Sequence, residues 1–228
     1  MTSRDGEFSG ACLLFDLDGT LVDTAEDLAA SMNFALSEAG LDPAPGKDVR
    51  HLVGHGARRM LMRGYELSAG RDASDEELDR ALELFLDHYQ HNIAVHSRPF
   101  EGVVALIENL RRRGAQMAIC TNKREAMARL LLETLEIAAL FDCVVGADTA
   151  PAPKPDPAPV LLCLEKTNAS RAVFIGDSDT DIRAAAAAGL PCYVADFGYG
   201  PVTQPENAAA MFSQYADLQP VIEQSLRG

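Results

Sequence analysis

The sequence predicts an α/β fold: a parallel β-sheet with helices on both faces, and an all-helical block inserted directly after the first strand. Three observations carry this. From residue 99 onward, short apolar runs alternate with longer stretches of helical periodicity, the pattern of strand–helix–strand units that pack back onto a parallel sheet. From 23 to about 98 no convincing strand pattern occurs. A single apolar run, Ala11-Cys12-Leu13-Leu14-Phe15, precedes that block and reads as a buried strand.

Taken in order, the first ten residues are polar with two glycines and read as a loose, soluble N-terminus without the apolar centre of a signal peptide. After the first strand, Thr24 and Asp27 have the spacing of a capping box. Leu28, Met32, Ala35 and Ala39 give that helix one apolar face, and Gly40 ends it. Residues 41–47, with two prolines and a glycine, form a loop. Residues 48–69 carry helical periods interrupted by Gly54-His55-Gly56. Ser74 and Glu77 form a second capping box, opening a helix whose stripe of Leu78, Leu82, Phe85 and Tyr89 is assigned to the core.

Pro99 and Gly102 mark a boundary. Beyond it lie a helix with Val103, Leu106, Ile107 and Leu110 on one face, a strand at 116–121, a helix at 123–136 with Glu125 and Arg129 at ion-pair spacing, and a strand at 141–146. A helix at 156–166, a strand at 172–176, a helix at 178–188, a strand at 191–195 and a last helix at 216–227 complete the chain. The expected organisation is therefore a Rossmann-like catalytic core from residues 1–22 and 99–228, with residues 23–98 as the helical insertion.

With 228 residues, 47% of them hydrophobic, the chain can build a substantial core. Its net charge of −14 argues against nucleic acid, which needs a basic face, and against an anionic membrane surface. No apolar run is long enough to span a membrane. The five cysteines lie mostly in apolar runs without C-x-x-C spacing, as expected of reduced thiols in a cytoplasmic protein.

The residues that carry chemistry follow the strands. Asp16 and Asp18 follow the first, Thr121 and Asn122 the second, Lys154 lies after the third, and Asp177 follows the fourth. A parallel sheet gathers these ends at one edge, where ligands bind in open α/β sheets. Clustered carboxylates repel unless a cation joins them, and Asp16 with Asp177 are hard oxygen donors suited to Mg²⁺. Lys154 supplies a second positive charge and Thr121 a hydroxyl, with backbone N–H groups around 17–18 and 122 adding donors; phosphoryl transfer needs little beyond such positioning. Asp16 is read as a nucleophile forming an aspartyl-phosphate. Asp18, two residues on, is read as the acid/base that protonates the leaving group and later deprotonates water.

Asp16-Leu17-Asp18-Gly19-Thr20, Thr121-Asn122, Lys154-Pro155-Asp156-Pro157 and Gly176-Asp177-Ser178 with Asp181 occur in this order. In this the sequence resembles the haloacid dehalogenase superfamily of phosphatases over nearly its whole length. The resemblance implies that Mg²⁺ is held by the Asp16 and Asp177 carboxylates and the Asp18 backbone carbonyl, with Asp181 supporting the metal site. It further implies that Thr121, Asn122 and Lys154 bind the transferred phosphoryl group, and that the helical insertion is a cap closing over the substrate. Softer markers are Leu21-Val22-Asp23-Thr24, Val53-Gly54-His55-Gly56-Ala57, Thr121-Asn122-Lys123 and Gly198-Tyr199-Gly200. They resemble bacterial phosphoglycolate phosphatases and imply hydrolysis of 2-phosphoglycolate to glycolate and phosphate. Another small phosphate ester, pyrophosphate, or phosphomutase chemistry of the β-phosphoglucomutase type are the alternatives.

Asp179 departs from the usual pattern, with small effect if it faces solvent. His55 and Arg58, at a helix start within the insertion, and Lys123 are candidates for reading the substrate's non-reacting end. The expected partner is a small phosphate ester, and the expected state a monomer or homodimer.

Overall fold

The structure, a computed structural model, describes residues 6–44, 56–200 and 202–227. Strand β1 (Ala11–Phe15) leads through a tight turn to the two-residue strand β2 (Val22–Asp23). Helices α1 (Ala25–Glu38), α2 (Ala57–Ala69) and α3 (Asp75–His91) follow, and then β3 (Arg98–Pro99). The remainder runs α4 (Val103–Arg112), β4 (Gln116–Cys120), α5 (Glu125–Thr134), β5 (Cys143–Val145), α6 (Ala158–Thr167), β6 (Arg171–Gly176), α7 (Asp179–Ala187), β7 (Cys192–Ala195), β8 (Ala210–Phe212) and α8 (Tyr215–Arg227).

Six strands form one parallel sheet in the order β5–β4–β1–β6–β7–β8. The α/β fold with a Rossmann-like sheet is as expected. The chain winds outward in both directions from β1, so the order reverses there, which is where such sheets open a crevice. Register aligns the strand ends: Phe15 lies level with Ile119 on one side and Ile175 on the other. The residues that follow are thereby delivered to one edge.

The strands are buried on both faces, and their alternation divides the core. Leu13, Phe15, Met117, Ile119, Val173 and Ile175 face the cluster built with α4, α5, α8 and the helical block. Cys12, Leu14, Ala118, Cys120 and Phe174 face the cluster built with α6 and α7. All five cysteines are free, and only Cys143 is less than fully buried.

Within the helical block α1 packs most extensively on α3, and α2 packs on both. The capping box of α3 is present, Ser74 and Glu77 exchanging side chain-to-backbone hydrogen bonds. Two expectations are corrected. Residues 23–98 do contain strand: Val22 pairs with Pro99 and Asp23 with Arg98 as an antiparallel ribbon, too short to leave a periodic trace. The capping box at Thr24 and Asp27 does not form. Thr24 Oγ1 donates to Asp18 instead. The buried Asp27 carboxylate accepts the N–H groups of His96 and Ser97 and the Ser97 hydroxyl, at 2.6 to 3.1 Å. It therefore ties the start of α1 to the returning chain beside the ribbon. Ala in place of Asp27 strands these buried donors, and is expected to lower stability by about 3 kcal/mol. A urea midpoint unchanged from the parent protein would contradict this.

Candidate active site

The turn after β1 brings the first two acids into place. Gly19 has φ +82°, and a Cβ there would lie 2.5 Å from Asp177 Oδ2 and 2.9 Å from the Tyr199 ring. Only glycine permits both this backbone and this approach. Asp16, at the end of β1, accepts the Leu17 N–H at 2.7 Å and lies 3.0 Å from the Lys154 ammonium. Lys154 also contacts Asp181 at 2.6 Å.

Asp181 belongs to the first turn of α7, where Ser178 is the N-cap and Asp181 stands three residues on. Its Oδ2 accepts the Ser178 hydroxyl and the Asp177 N–H, while its Oδ1 takes Lys154. One acid thus fixes the lysine and shapes the loop that presents Asp177. Asp177 itself accepts from Thr20 Oγ1 at 3.1 Å and the Tyr199 N–H at 3.0 Å.

Carboxylate oxygens of Asp16, Asp177 and Asp181 lie within 4.8 Å of one another, and all three residues are buried. Burial pushes Asp16 up to about 7, Lys154 opposing and Asp181 and Asp18 reinforcing. Burial also raises Asp177 well above the carboxylate range, with Asp181 and Asp16 adding to it. Burial disfavours the Lys154 ammonium, yet Asp16 and Asp181 outweigh it and its pKa is raised. Three oxygen donors with one lysine between them fit a hard divalent cation.

The Asp18 carboxylate stands apart from this cluster. Both its oxygens lie within 2.9 Å of the Lys123 ammonium, and Oδ1 also accepts from Thr24 Oγ1 at 2.7 Å. Lys123 was one of three candidates for reading the substrate's far end, and here it touches the candidate acid/base. Its ammonium lies 4.7 Å from the centre of the Tyr89 ring, on α3. Burial disfavours this ammonium, but Asp18 and Tyr89 more than compensate, and its pKa is raised.

Thr121 is buried at the end of β4, its Oγ1 accepting the Lys123 N–H. Asn122 donates to the Lys154 carbonyl, fastening the two loops together. Arg58 lines the cavity, but its guanidinium is paired with Asp75 at 2.9 Å and with Asp79. Asp179 is half-buried and lines the cavity too, accepting the N–H and hydroxyl of Thr203. It therefore does not simply face solvent. His55 lies outside the described residues.

These side chains line a cavity of about 1030 Å³ between the sheet edge and the helical block, at the upper end of small-molecule sites. Leu82, Phe85 and Tyr89 form part of its wall. The α3 stripe assigned to the core is therefore both core and cavity lining. Six basic side chains, Arg58, Arg59, Lys123, Arg124, Lys154 and Arg183, border the cavity. They stand beside Asp16, Asp18, Asp177 and Asp179 in the same lining, so cationic groups are gathered at the cavity of a chain whose net charge is −14.

The family profile described as haloacid dehalogenase-like hydrolase matches residues 13–195, the span that contains Asp16, Asp18, Thr121, Asn122, Lys154, Asp177 and Asp181. The chain belongs to the haloacid dehalogenase-like hydrolases. Within that family it is 42% identical over 195 residues to the phosphoglycolate phosphatase of Caulobacter vibrioides, covering 85% of this chain and 82% of that one. It is 43% identical over 189 residues to the phosphoglycolate phosphatase of Mesorhizobium japonicum, covering 82% and 83%. Among solved structures, a predicted phosphoglycolate phosphatase from Haemophilus somnus superposes with TM-score 0.85 at 29% identity, over 92% of this chain and 97% of that one. The expectation of a haloacid dehalogenase-like phosphatase similar to bacterial phosphoglycolate phosphatases is borne out.

Sequence reasoning missed the part played by three residues of this site. Thr20 and Thr24 hold Asp177 and Asp18, roles that a capping or turn reading conceals. Tyr199 was noted only as a marker. Its hydroxyl accepts the Thr24 and Ala25 N–H groups and donates to Asp23 at 2.8 Å. It thereby replaces Thr24 as the cap of α1, and it joins the Asp177 loop to the ribbon.

Proposed function

We propose that the protein is a Mg²⁺-dependent phosphomonoester hydrolase that works through an aspartyl-phosphate on Asp16, with 2-phosphoglycolate as its substrate. The observation that carries the reading is the separation of two aspartates two residues apart. Asp16 lies with Lys154 in the carboxylate cluster, and Asp18 lies on the cavity side with Lys123 and Thr24. Two carboxylates in such different surroundings take different roles.

In this reading Asp16 attacks phosphorus as the ester P–O bond breaks, and Asp18 passes a proton to the departing oxygen. Water then attacks the aspartyl-phosphate, Asp18 accepting its proton, and phosphate leaves with Asp16 restored. Lys154 and Thr121 stabilise the phosphoryl oxygens, and Asn122 holds the Lys154 loop in place. Asp16, Asp177 and the Asp18 carbonyl would hold Mg²⁺, with Asp181 in support; the bound cation supplies charge neutralisation of the phosphoryl group and of the carboxylates.

Residues 23–98 serve as the cap, hinged at the β2–β3 ribbon, and the cavity's size leaves room for it to close. Arg58, and His55 in the same stretch, remain candidates for substrate contact from the cap. The protein works in the cytoplasm, where its free thiols stay reduced, as a monomer or homodimer. The choice of 2-phosphoglycolate is supported by the names of the relatives at 42% and 43% identity.

The test is phosphate release from a panel of small esters, read as kcat/KM. The expected result is a maximum for 2-phosphoglycolate, loss of release in excess chelator and recovery with Mg²⁺. Full release in chelator would overturn the metal assignment. Isomerised sugar phosphate without free phosphate would overturn the hydrolase.

A further inference from the structure

We propose that Lys123 is a lock on Asp18 that an anionic leaving group opens, which directs the site to phosphate esters bearing a carboxylate close to the bridging oxygen. The proposal deepens the phosphatase reading above and rests on it.

The lock is visible in the engagement of Asp18. The Lys123 ammonium lies 2.8 Å from Oδ1 and 2.9 Å from Oδ2, and Thr24 takes Oδ1 as well. Both oxygens are turned toward Lys123, so Asp18 turns to a leaving group only as Lys123 withdraws. The lysine backbone is fixed, since its N–H is held by Thr121 beside the proposed phosphoryl site, so only the side chain needs to swing.

What would draw it away is also on the cavity wall. Tyr89 comes from α3 and is almost wholly buried, and among the described residues its hydroxyl makes no well-formed hydrogen bond, although the Lys123 ammonium lies over its ring. A buried polar group left unmatched is costly and calls for a partner. Lys123 and Tyr89 line the same cavity. A carboxylate arriving there accepts from both the ammonium and the phenol, and replaces Asp18 as the partner of Lys123. A neutral leaving group offers the ammonium no such exchange. Arg59 and Arg124, also lining the cavity and without an ion pair among the described residues, add attraction for an anion.

Once released, Asp18 keeps its contact with Thr24 and turns to the bridging oxygen. It takes a proton from solvent and delivers it there as the P–O bond breaks and the Asp16–phosphorus bond forms. Lys123 is in this account a positioning and specificity residue. Its contact with Tyr89 lets a helix of the proposed cap take part in the selection.

The experiment compares kcat/KM for 2-phosphoglycolate and for ethyl phosphate, a neutral leaving group of similar size, in the parent enzyme, Lys123→Met, Lys123→Arg and Tyr89→Phe. The parent enzyme is expected to favour phosphoglycolate. Lys123→Met should cut that preference at least about tenfold, raising KM for phosphoglycolate by more than any change it makes to kcat/KM for ethyl phosphate. Lys123→Arg should retain most of the preference, and Tyr89→Phe should lower it a few-fold. General damage to the fold lowers both substrates together and leaves the ratio unchanged, so an unchanged ratio in Lys123→Met overturns the lock. A parent enzyme that hydrolyses both esters equally also overturns the lock but leaves the phosphatase standing. Release from neither ester overturns the 2-phosphoglycolate reading, and the lock with it.

Discussion

Asn in place of Asp16 is expected to abolish phosphate release, by at least about 10⁴-fold, with the fold intact. The amide keeps an oxygen for the Leu17 N–H and for Lys154, so the turn after β1 has no reason to rearrange. What it loses is the anion that attacks phosphorus. The same variant carries a stability signature. Burial holds Asp16 at about 7 in the fold against its ordinary 3.8, so without cation the folded state binds the extra proton between these values. Stability of the parent protein should therefore fall as pH rises through that window, because ionisation is easier in the unfolded chain. Asp16→Asn should lack this part of the slope. Thermal unfolding in chelator from pH 4 to 8 checks it, and parallel profiles for the two proteins would contradict it.

Met in place of Lys154 is expected to be the most destabilising change in the site. The lysine is 3% exposed, and its ammonium is the cation that Asp16 and Asp181 share, at 3.0 and 2.6 Å. Removing one partner of a buried ion pair leaves uncompensated charge and costs about 3–5 kcal/mol. The loss should be larger at pH 8 than at pH 5, since Asp16 can protonate at the lower pH and relieve the repulsion. Mg²⁺ should restore part of it by supplying positive charge to the same carboxylates. Phosphate release should fall by about 10²–10³-fold, the scale of losing one charge-stabilising group at a transition state. Urea titrations at both pH values, with and without Mg²⁺, check the stability. Equal loss at both would contradict the electrostatic cause.

Much of this was legible because the sheet imposes simple rules. Ala11–Phe15, Gln116–Cys120 and Arg171–Gly176 are apolar at nearly every position because both faces are covered, and a parallel register then brings Asp16, Thr121 and Asp177 to one edge. Local rules worked where nothing distant competed, as at the Ser74–Glu77 capping box. They failed at Thr24, whose hydroxyl turns back to Asp18, and at Asp27, whose carboxylate is taken by His96 and Ser97 far along the chain. Strand β8 escaped notice since three residues are too few to show a period, and the β2–β3 ribbon for the same reason. The pairing of Lys123 with Asp18 joins residues 105 apart, and no periodicity or spacing encodes it. It is set by the placement of β4 beside β1.

The central claim is that Asp16 carries the phosphoryl group, and the most direct measurement is to catch it there. Asp18→Ala lacks the base that drives hydrolysis of the intermediate, while an aryl phosphate such as p-nitrophenyl phosphate needs no acid to leave. Quenching this variant in acid during turnover with Mg²⁺, then digesting and weighing its peptides, should place one phosphoryl group on the peptide that contains Asp16, and none in the double variant with Asp16→Asn. A phosphoryl group on any other residue, or continued turnover in the double variant, would contradict the account.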